Sequence, residues 1–283
     1  MIQSAQSHQV QAVLQRALAV AHTLADLADQ YCKQAAAQQK SNAIDTIAKG
    51  DKTFVTALDQ RIERAQREVI ELQFPDHGIL GEEEQSIALH RPWVWTLDPI
   101  DGTMAYVCGM QVYSTLISLC HEGKPVLGIM HFPATGERWV GMQGEVSTLN
   151  GMPCRTRQAR PLSDAVMSAS SPDFFKTAAQ KAALTGFVAQ TAWRVYGGAA
   201  MSYGRLASGL IDLSCDAGLH IYDYAAMIPI IEGAGGVITD WQGKALHLHS
   251  GSQVLAASQR EVHAQALALL ATLENNPLSS EKS

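Results

Sequence analysis

The chain has 283 residues, 47% of them hydrophobic, which is enough to bury the core of one large domain or of two joined lobes. Its formal net charge is −6 with only 21 lysines and arginines, so we expect neither nucleic acid nor an anionic membrane as a partner. Five scattered cysteines without a Cys-x-x-Cys spacing argue against a disulfide framework and a zinc knuckle, and predict reduced thiols.

Two helices are predicted near the start of the chain. Apolar residues recur every three or four positions from Val10 to Ala28, which is typical of a long amphipathic helix. A second helix is predicted from Asp59 to Leu72, and the polar stretch from Gln34 to Asn42 before it is predicted to be flexible. Asp59 is either an acid on the solvated face of this helix or a residue near a metal ion.

Two apolar strands that follow each lead into acidic residues. The run Ile79-Leu80-Gly81 stops at Glu82-Glu83-Glu84, and the next strand stops at Asp98-Pro99-Ile100-Asp101. Because proline fixes its own backbone angle and restricts its neighbour, we expect this second strand to end at Asp98 in a stiff turn that displays both aspartates. Gly102-Thr103 follows and offers backbone amides and a hydroxyl at a helix start.

These carboxylates form a candidate cation site. Carboxylates brought together raise one another's proton affinity unless a cation lies among them. Because oxygen ligands without histidine or cysteine favour a hard cation, we expect magnesium, manganese or calcium rather than zinc. Two alternatives stay open at this point, namely a solvated acidic face at residues 82 to 84 and a tight surface turn at residues 98 to 103.

The middle of the chain changes to strand periodicity. Apolar runs between glycine- and proline-rich turns predict antiparallel strands, at Val112 to His121, Pro125 to Phe132 and Arg138 to Gly141. Asn150-Gly151 is a strong hairpin signal.

Strands and helices alternate after this hairpin. We expect a helix whose first residue is capped by Asp223 and a closing helix from Val262 to Leu273. The predicted organisation is an N-terminal lobe with the acidic motifs, a C-terminal lobe that closes the site, and a loose tail. Their predicted ranges are 1–152, 153–273 and 274–283.

Three stretches of the chain resemble, in order, the signature motifs of the inositol monophosphatase superfamily. They are Gly81-Glu82-Glu83, Asp98-Pro99-Ile100-Asp101-Gly102-Thr103 and Tyr222-Asp223-Tyr224-Ala225-Ala226. Val55 to Asp59 and the glycine-rich turn from Gly233 to Asp240 are similar to further segments of this superfamily. The resemblance implies a layered α+β fold of alternating α-β-α-β-α layers with two mixed or antiparallel sheets.

The resemblance also implies a set of metal ligands. Two Mg²⁺ ions are bridged by Asp98, a third and weaker ion lies near Glu82 by way of water, and Mn²⁺ is expected to substitute for Mg²⁺. Glu82, Asp98 and Ile100, through its carbonyl oxygen, hold the first ion. Asp98, Asp101 and Asp223 hold the second, with Asp59 and Glu83 close to the ions.

Roles in catalysis and binding are implied in the same way. Glu82 and Thr103 orient the attacking water and accept its proton. Asp223 places the water that protonates the leaving group. The implied phosphate and substrate contacts are Gly102, Thr103, Gly197, Gly198, Ala199 and Asp216.

The implied activity is hydrolysis of a small-molecule phosphate monoester. The segment from Ala217 to Trp241 is similar to the histidinol-phosphatase branch, but that branch usually has a basic residue at the position of Met104 and an aspartate at that of Ala199. Inositol phosphate and histidinol phosphate are therefore both retained as substrates. An alternative of another class is a non-catalytic partner protein in a transcription complex.

Further expectations concern bisphosphates, inhibition, assembly and location. A bisphosphate substrate requires a second cationic pocket, for which Arg194 and Arg205 are the candidates. The superfamily implies inhibition by lithium and a homodimer. With no basic leader and no apolar stretch near the roughly 18 residues of a membrane span, we expect a cytoplasmic location.

Overall fold

The computed structural model describes the backbone of residues 2–38, 46–48 and 54–275, and the side chains of residues 9–37 and 57–273. The helices in this part are α1 (Ile2–Gln38), α2 (Ala57–Gln73), α3 (Thr103–Val107), α4 (Ala178–Gln190), α5 (Ala200–Ala207), α6 (Ile221–Tyr224), α7 (Met227–Gly233) and α8 (Arg260–Asn275). The first nine strands are β1 (Thr46–Ala48), β2 (Phe54–Thr56), β3 (Gly78–Gly81), β4 (Trp93–Asp101), β5 (Ser114–His121), β6 (Lys124–Phe132), β7 (Glu137–Met142), β8 (Thr148–Leu149) and β9 (Met152–Pro153). The last five are β10 (Val166–Ala169), β11 (Trp193–Tyr196), β12 (Leu213–Asp216), β13 (Val237–Thr239) and β14 (Val254–Ala257).

The strands form two large sheets and a small pair, β1 with β2. The larger sheet has seven strands in the order β3-β4-β5-β6-β7-β8-β9, in which only β3 and β4 are parallel. The other has five in the order β11-β10-β12-β14-β13, in which β10 is parallel to β11 and β12. Both sheets are therefore mixed.

Helices cover and separate the two sheets. On the outer face of the seven-stranded sheet, Leu14 of α1 and Ile70 of α2 share a core with Trp95. α5 and α7 lie between the sheets, in a core that includes Trp139 of β7 and Ala256 of β14. α4 and α8 cover the outer face of the five-stranded sheet. The predicted α-β-α-β-α layering is thus confirmed.

Two glycines allow the middle layer to pack directly on the larger sheet. A Cβ atom at Gly128 would lie 2.1 Å from the Ala226 carbonyl oxygen, and one at Gly141 would lie 2.4 Å from the Ile230 nitrogen. Any larger residue would therefore push α7 away from β6 and β7. This contact fixes the position of α6, which directly precedes α7 and carries Asp223.

The predicted antiparallel strands and the Asn150-Gly151 hairpin are confirmed by β5 to β9. The flexible stretch predicted from Gln34 is wrong in its first part, because α1 continues to Gln38 through three alanines, which are good helix formers. The loose tail predicted from residue 274 is wrong in its first two residues, because α8 continues to Asn275. Residues 39–45 and 276–283 lie outside the described residues. The lobe division at residue 152 stays a prediction.

β4 does not end at Asp98 as predicted but continues through Pro99 to Asp101. The pairing with β5 shifts register between Asp98 and Asp101. Such an irregularity leaves residues without a regular ladder bond, so the missing N–H of proline is tolerated there. In the part of the chain that is described, no helix is both long enough and apolar enough to span a membrane.

Candidate active site

Two acids meet at one edge of the larger sheet because β3 and β4 are parallel. Gly81 pairs with Leu97, so the residues that follow them, Glu82 and Asp98, emerge side by side. The Glu82 amide donates a hydrogen bond to the Leu97 carbonyl, with 3.1 Å between nitrogen and oxygen. Glu82 therefore lies directly after the end of β3, as predicted.

Asp101 joins this edge at the irregularity of β4. Its Oδ2 accepts hydrogen bonds from the Ser114 hydroxyl and from the Ala200 backbone N–H, each at 3.2 Å. Ser114 belongs to β5 and Ala200 is the first residue of α5. Asp101 thus connects the larger sheet to the middle helical layer.

Asp223 reaches the same place from α6. It is the third residue of the helix, and the capping position belongs to His220, which has an extended backbone. The Asp223 carboxylate reaches back to accept the His220 backbone N–H at 2.7 Å. The predicted N-cap at Asp223 is therefore wrong by three residues, although its carboxylate still satisfies an orphan amide at the helix start.

The electrostatics show that these acids lie within reach of one another. Burial raises the pKa of Asp98 well above its ordinary value, and the charges of Glu82, Asp101, Asp223 and Asp59 raise it further. Burial also raises the pKa of Asp101 to about 6 against the hydrogen bonds that it accepts, and burial and Asp101 together raise the pKa of Asp223. Among the described residues, no lysine or arginine is one of the main groups that oppose these shifts.

The donors suit a divalent cation in chemistry and in burial. Asp98 Oδ1 is buried and has no hydrogen-bond partner among the described residues. A buried carboxylate oxygen in that state is unfavourable unless a cation pairs with it. In the described part of the chain, no three histidine, cysteine or acidic side chains are grouped closely enough to hold an ion as they stand. A bound ion would therefore have to draw these carboxylates together.

Asp59 and Glu83 border this cluster. Asp59 lies in the first turn of α2 and is fully buried, which rules out the solvated acid that its sequence position left open. Glu83 is half-buried on the turn after β3. Their place near a metal ion stays a prediction.

Thr103 begins α3 directly after Gly102, which has the left-handed φ of 77°. The Thr103 hydroxyl donates to the Ile100 carbonyl oxygen at 3.1 Å. A carbonyl oxygen has two lone pairs and a hydroxyl oxygen can still accept a bond, so both groups keep acceptor capacity.

The predicted substrate contacts lie beside the cluster. Gly197, Gly198 and Ala199 form the turn between β11 and α5, and Ala199 has φ 43°, a backbone region that favours glycine. Asp216 ends β12 and is buried. Its two oxygens accept from the Ser170 N–H at 2.6 Å and the Tyr203 hydroxyl at 2.8 Å, and burial raises its pKa to about 6. Contact between Asp216 and substrate stays a prediction.

Arg205 and Arg194, the candidates for a second cationic pocket, both have partners within the protein. Arg205 makes a bidentate ion pair with Glu137, with both N–O distances at 2.7 Å. Arg194 donates to the backbone carbonyls of Thr191 and Ala192.

Comparison with known proteins places this fold and site in a class. The sequence matches the model of the inositol monophosphatase family over residues 9–275. The chloroplastic bifunctional phosphatase IMPL2 of Arabidopsis thaliana is 38% identical over 90% of this chain and 75% of its own length. A histidinol-phosphatase of Streptomyces coelicolor is 33% identical over 89% of this chain and 96% of its own. A solved inositol monophosphatase from Zymomonas mobilis is 33% identical, covers 91% of this chain and 98% of its own, and superposes with a TM-score of 0.81.

Fold, motifs and acidic site together are those of a phosphatase. The chain belongs to the inositol monophosphatase family, whose phosphatases act on small-molecule phosphate esters and are generally metal-dependent.

Proposed function

We propose that this chain hydrolyses a small-molecule phosphate monoester with Mg²⁺ as its cofactor. The observation that carries the proposal is the mutual electrostatic influence of Glu82, Asp101 and Asp223 on the buried Asp98, one oxygen of which has no hydrogen-bond partner among the described residues. Such an arrangement is unfavourable for folding, so it is best explained by the binding of a cation.

The proposed ligand set follows the three motifs. Glu82, Asp98 and the Ile100 carbonyl would hold one Mg²⁺, while Asp98, Asp101 and Asp223 would hold a second, with a weaker third ion near Glu82. When bound, Mg²⁺ lowers the pKa of a water and neutralises phosphoryl and leaving-group oxygens. Mn²⁺ is expected to substitute for it.

The chain's own residues have distinct proposed roles. Glu82 accepts the proton of the attacking water, which Thr103 orients through the lone pairs of its hydroxyl. The hydrogen of that hydroxyl is directed to Ile100, so Thr103 acts towards the water as an acceptor. The amides of Gly102 and Thr103 at the start of α3 bind the phosphate. Asp223 positions the water that protonates the departing alkoxide.

Two substrates are proposed. The uncharged Ala199 beside Gly197 and Gly198 suits a polyol such as inositol phosphate. The similarity to a histidinol-phosphatase favours histidinol phosphate, whose ammonium group needs an acidic partner. Asp216 is the proposed partner, and it would have to exchange the Tyr203 hydroxyl for that ammonium.

Phosphate release from both substrates, with Mg²⁺ and with a chelator, tests this function. Fructose 1,6-bisphosphate and adenosine 3′,5′-bisphosphate serve as controls, and we expect neither to be turned over, since Arg205 is ion-paired with Glu137 and Arg194 donates to backbone carbonyls. Folded protein that turns over no ester and binds no Mg²⁺ would instead support the partner-protein alternative. Lithium inhibition, a homodimer and a cytoplasmic location are further proposals from the family resemblance.

A further inference from the structure

The acidic turn that carries Glu82 is held by a buried carboxylate of α2. Glu63 is fully buried, and its two oxygens accept the backbone N–H groups of Glu83 at 2.8 Å and of Glu84 at 3.0 Å. Two consecutive amides that point at one carboxylate fix the path of the chain directly after Glu82. The anchor is therefore adjacent to the proposed catalytic base.

A buried guanidinium completes this anchor. Arg67, one helical turn after Glu63, is 4% exposed and lies 2.8 Å from the Glu63 carboxylate. It also donates to the carbonyl oxygens of Glu84 at 3.0 Å and Gln85 at 3.2 Å. The pair thus binds both the amides and the carbonyls of the same turn, and each buried charge is satisfied.

Gly81 makes the close approach of Glu63 possible. A Cβ atom at Gly81 would lie 2.0 Å from Glu63 Oε1 and 2.7 Å from the Arg67 guanidinium. The last residue of β3 therefore has to be glycine for the carboxylate to reach the amides beyond it.

We propose that Glu63 and Arg67 are positioning residues that set Mg²⁺ affinity and turnover by holding Glu82 in register with Asp98. This inference rests on the function proposed above. A buried ion pair gains little stability over an apolar pair of similar volume. The Glu63–Arg67 pair instead provides four directional hydrogen bonds to the turn after β3.

Two substitutions test the anchor. Glu63→Gln keeps the shape but turns an NH₂ group towards a backbone donor and removes the ion pair. Arg67→Lys keeps the positive charge beside Glu63, and so the fold, but a single ammonium cannot reproduce the planar donor array. Arg64→Gln is the matched control, because Arg64 is an exposed residue of the same helix that pairs with the side chain of Glu84.

Mg²⁺ binding is measured by calorimetry without substrate, alongside the melting temperature, kcat and substrate KM. We expect Glu63→Gln and Arg67→Lys to weaken Mg²⁺ binding by about tenfold to a hundredfold and to lower kcat similarly, as for other outer partners of metal ligands. Substrate KM should change by less than about threefold, since neither residue touches the ester, and Arg64→Gln should match the wild type in Mg²⁺ affinity.

Wild-type Mg²⁺ affinity in folded Arg67→Lys would overturn the inference, even if Glu63→Gln failed to fold. A wild-type protein with neither Mg²⁺ binding nor turnover would refute the proposed function and this inference with it. A wild type that binds Mg²⁺ and turns over substrate, beside unaffected variants, would refute the inference alone.

Discussion

Asp98 and Asp212 are equally buried aspartates in opposite surroundings. Asp212 is 0% exposed, makes a bidentate ion pair with Arg157 and accepts the Val166 N–H at 2.7 Å. Asp98 is 1% exposed, lies among other acids and has one oxygen that no described residue hydrogen-bonds. The first carboxylate has its charge partner within the protein, whereas the proposed Mg²⁺ would supply the charge partner of the second.

This difference separates structural acids from acids of the site. Burial of a carboxylate is costly, and an arginine fitted to it offsets that cost. Where the neighbours are acids instead, a bound cation would offset that cost and stabilise the folded protein. Substitution of the two kinds of acid should therefore have opposite effects. A change in the site should lower activity but not stability, and a change at Asp212 should lower stability but not activity.

The largest effect is expected for Asp98→Asn. Turnover should fall by about a thousandfold or more, because the bridging carboxylate is lost. The melting temperature without Mg²⁺ should hold or rise, because a neutral amide replaces a carboxylate that burial and like charges destabilise. Phosphate release and thermal unfolding check both, and near-normal turnover would contradict the proposed ligand set.

Glu82→Gln should come next, with kcat lowered by about a hundredfold or more through loss of the general base. Glu84→Gln on the same turn is the control, since its partly exposed side chain pairs with Arg64 at 3.2 Å and approaches Arg67 only to 3.8 Å, beyond hydrogen-bond distance. We expect that variant to keep its turnover. Equal rates for Glu82→Gln and the wild type would remove Glu82 from the proton transfer.

Asp212→Asn should show the opposite pattern to Asp98→Asn. The free energy of unfolding should fall by about 2–4 kcal/mol, because Arg157 loses its charge partner while still largely buried. Turnover well below the melting temperature should stay near that of the wild type. Urea unfolding measures the fall in the free energy of unfolding. An unchanged unfolding curve would show that the ion pair of Asp212 with Arg157 does not stabilise the fold.

The smallest effect concerns pH. The pKa of Asp101 is about 6 in the folded protein and near 3.8 when unfolded, so its contribution to stability without metal is present below 3.8 and lost as pH rises through 6. Mg²⁺ binds the ionised carboxylates, so its affinity should fall by about tenfold or more per pH unit below 6, and the raised pKa values of Asp98 and Asp223 should extend this dependence above 6. Calorimetry between pH 5 and 8 measures this, and a flat profile would contradict the shared acidic site.

Sequence patterns predicted the parts of the site that follow directly from strand ends. Glu82 and Asp98 each come after an apolar run, and the pairing of those runs as parallel strands brings the two acids together. The helix expected near Asp223 is present, but its cap is His220, because the backbone is still extended at His220 and becomes helical at Ile221.

Sequence reasoning missed the buried hydrogen-bond partners that hold residues of the candidate site in place. Glu63 and Arg67 read as an ordinary i, i+4 ion pair on a charged helix, and that spacing was the only available signal. Nothing in the sequence predicted the hydrogen bond from Tyr203 to Asp216, because it forms only when α5 packs against β12 in the folded protein.

The amino-acid sequence by itself determined the layered fold, the family and the acids of the proposed cation site, because strand periodicity and local motifs are properties of neighbouring residues. The tertiary structure alone decided which buried acids have a partner. A charge that is satisfied by Arg157 and one that is left among carboxylates look alike in a sequence, and only the packing of distant elements makes them different.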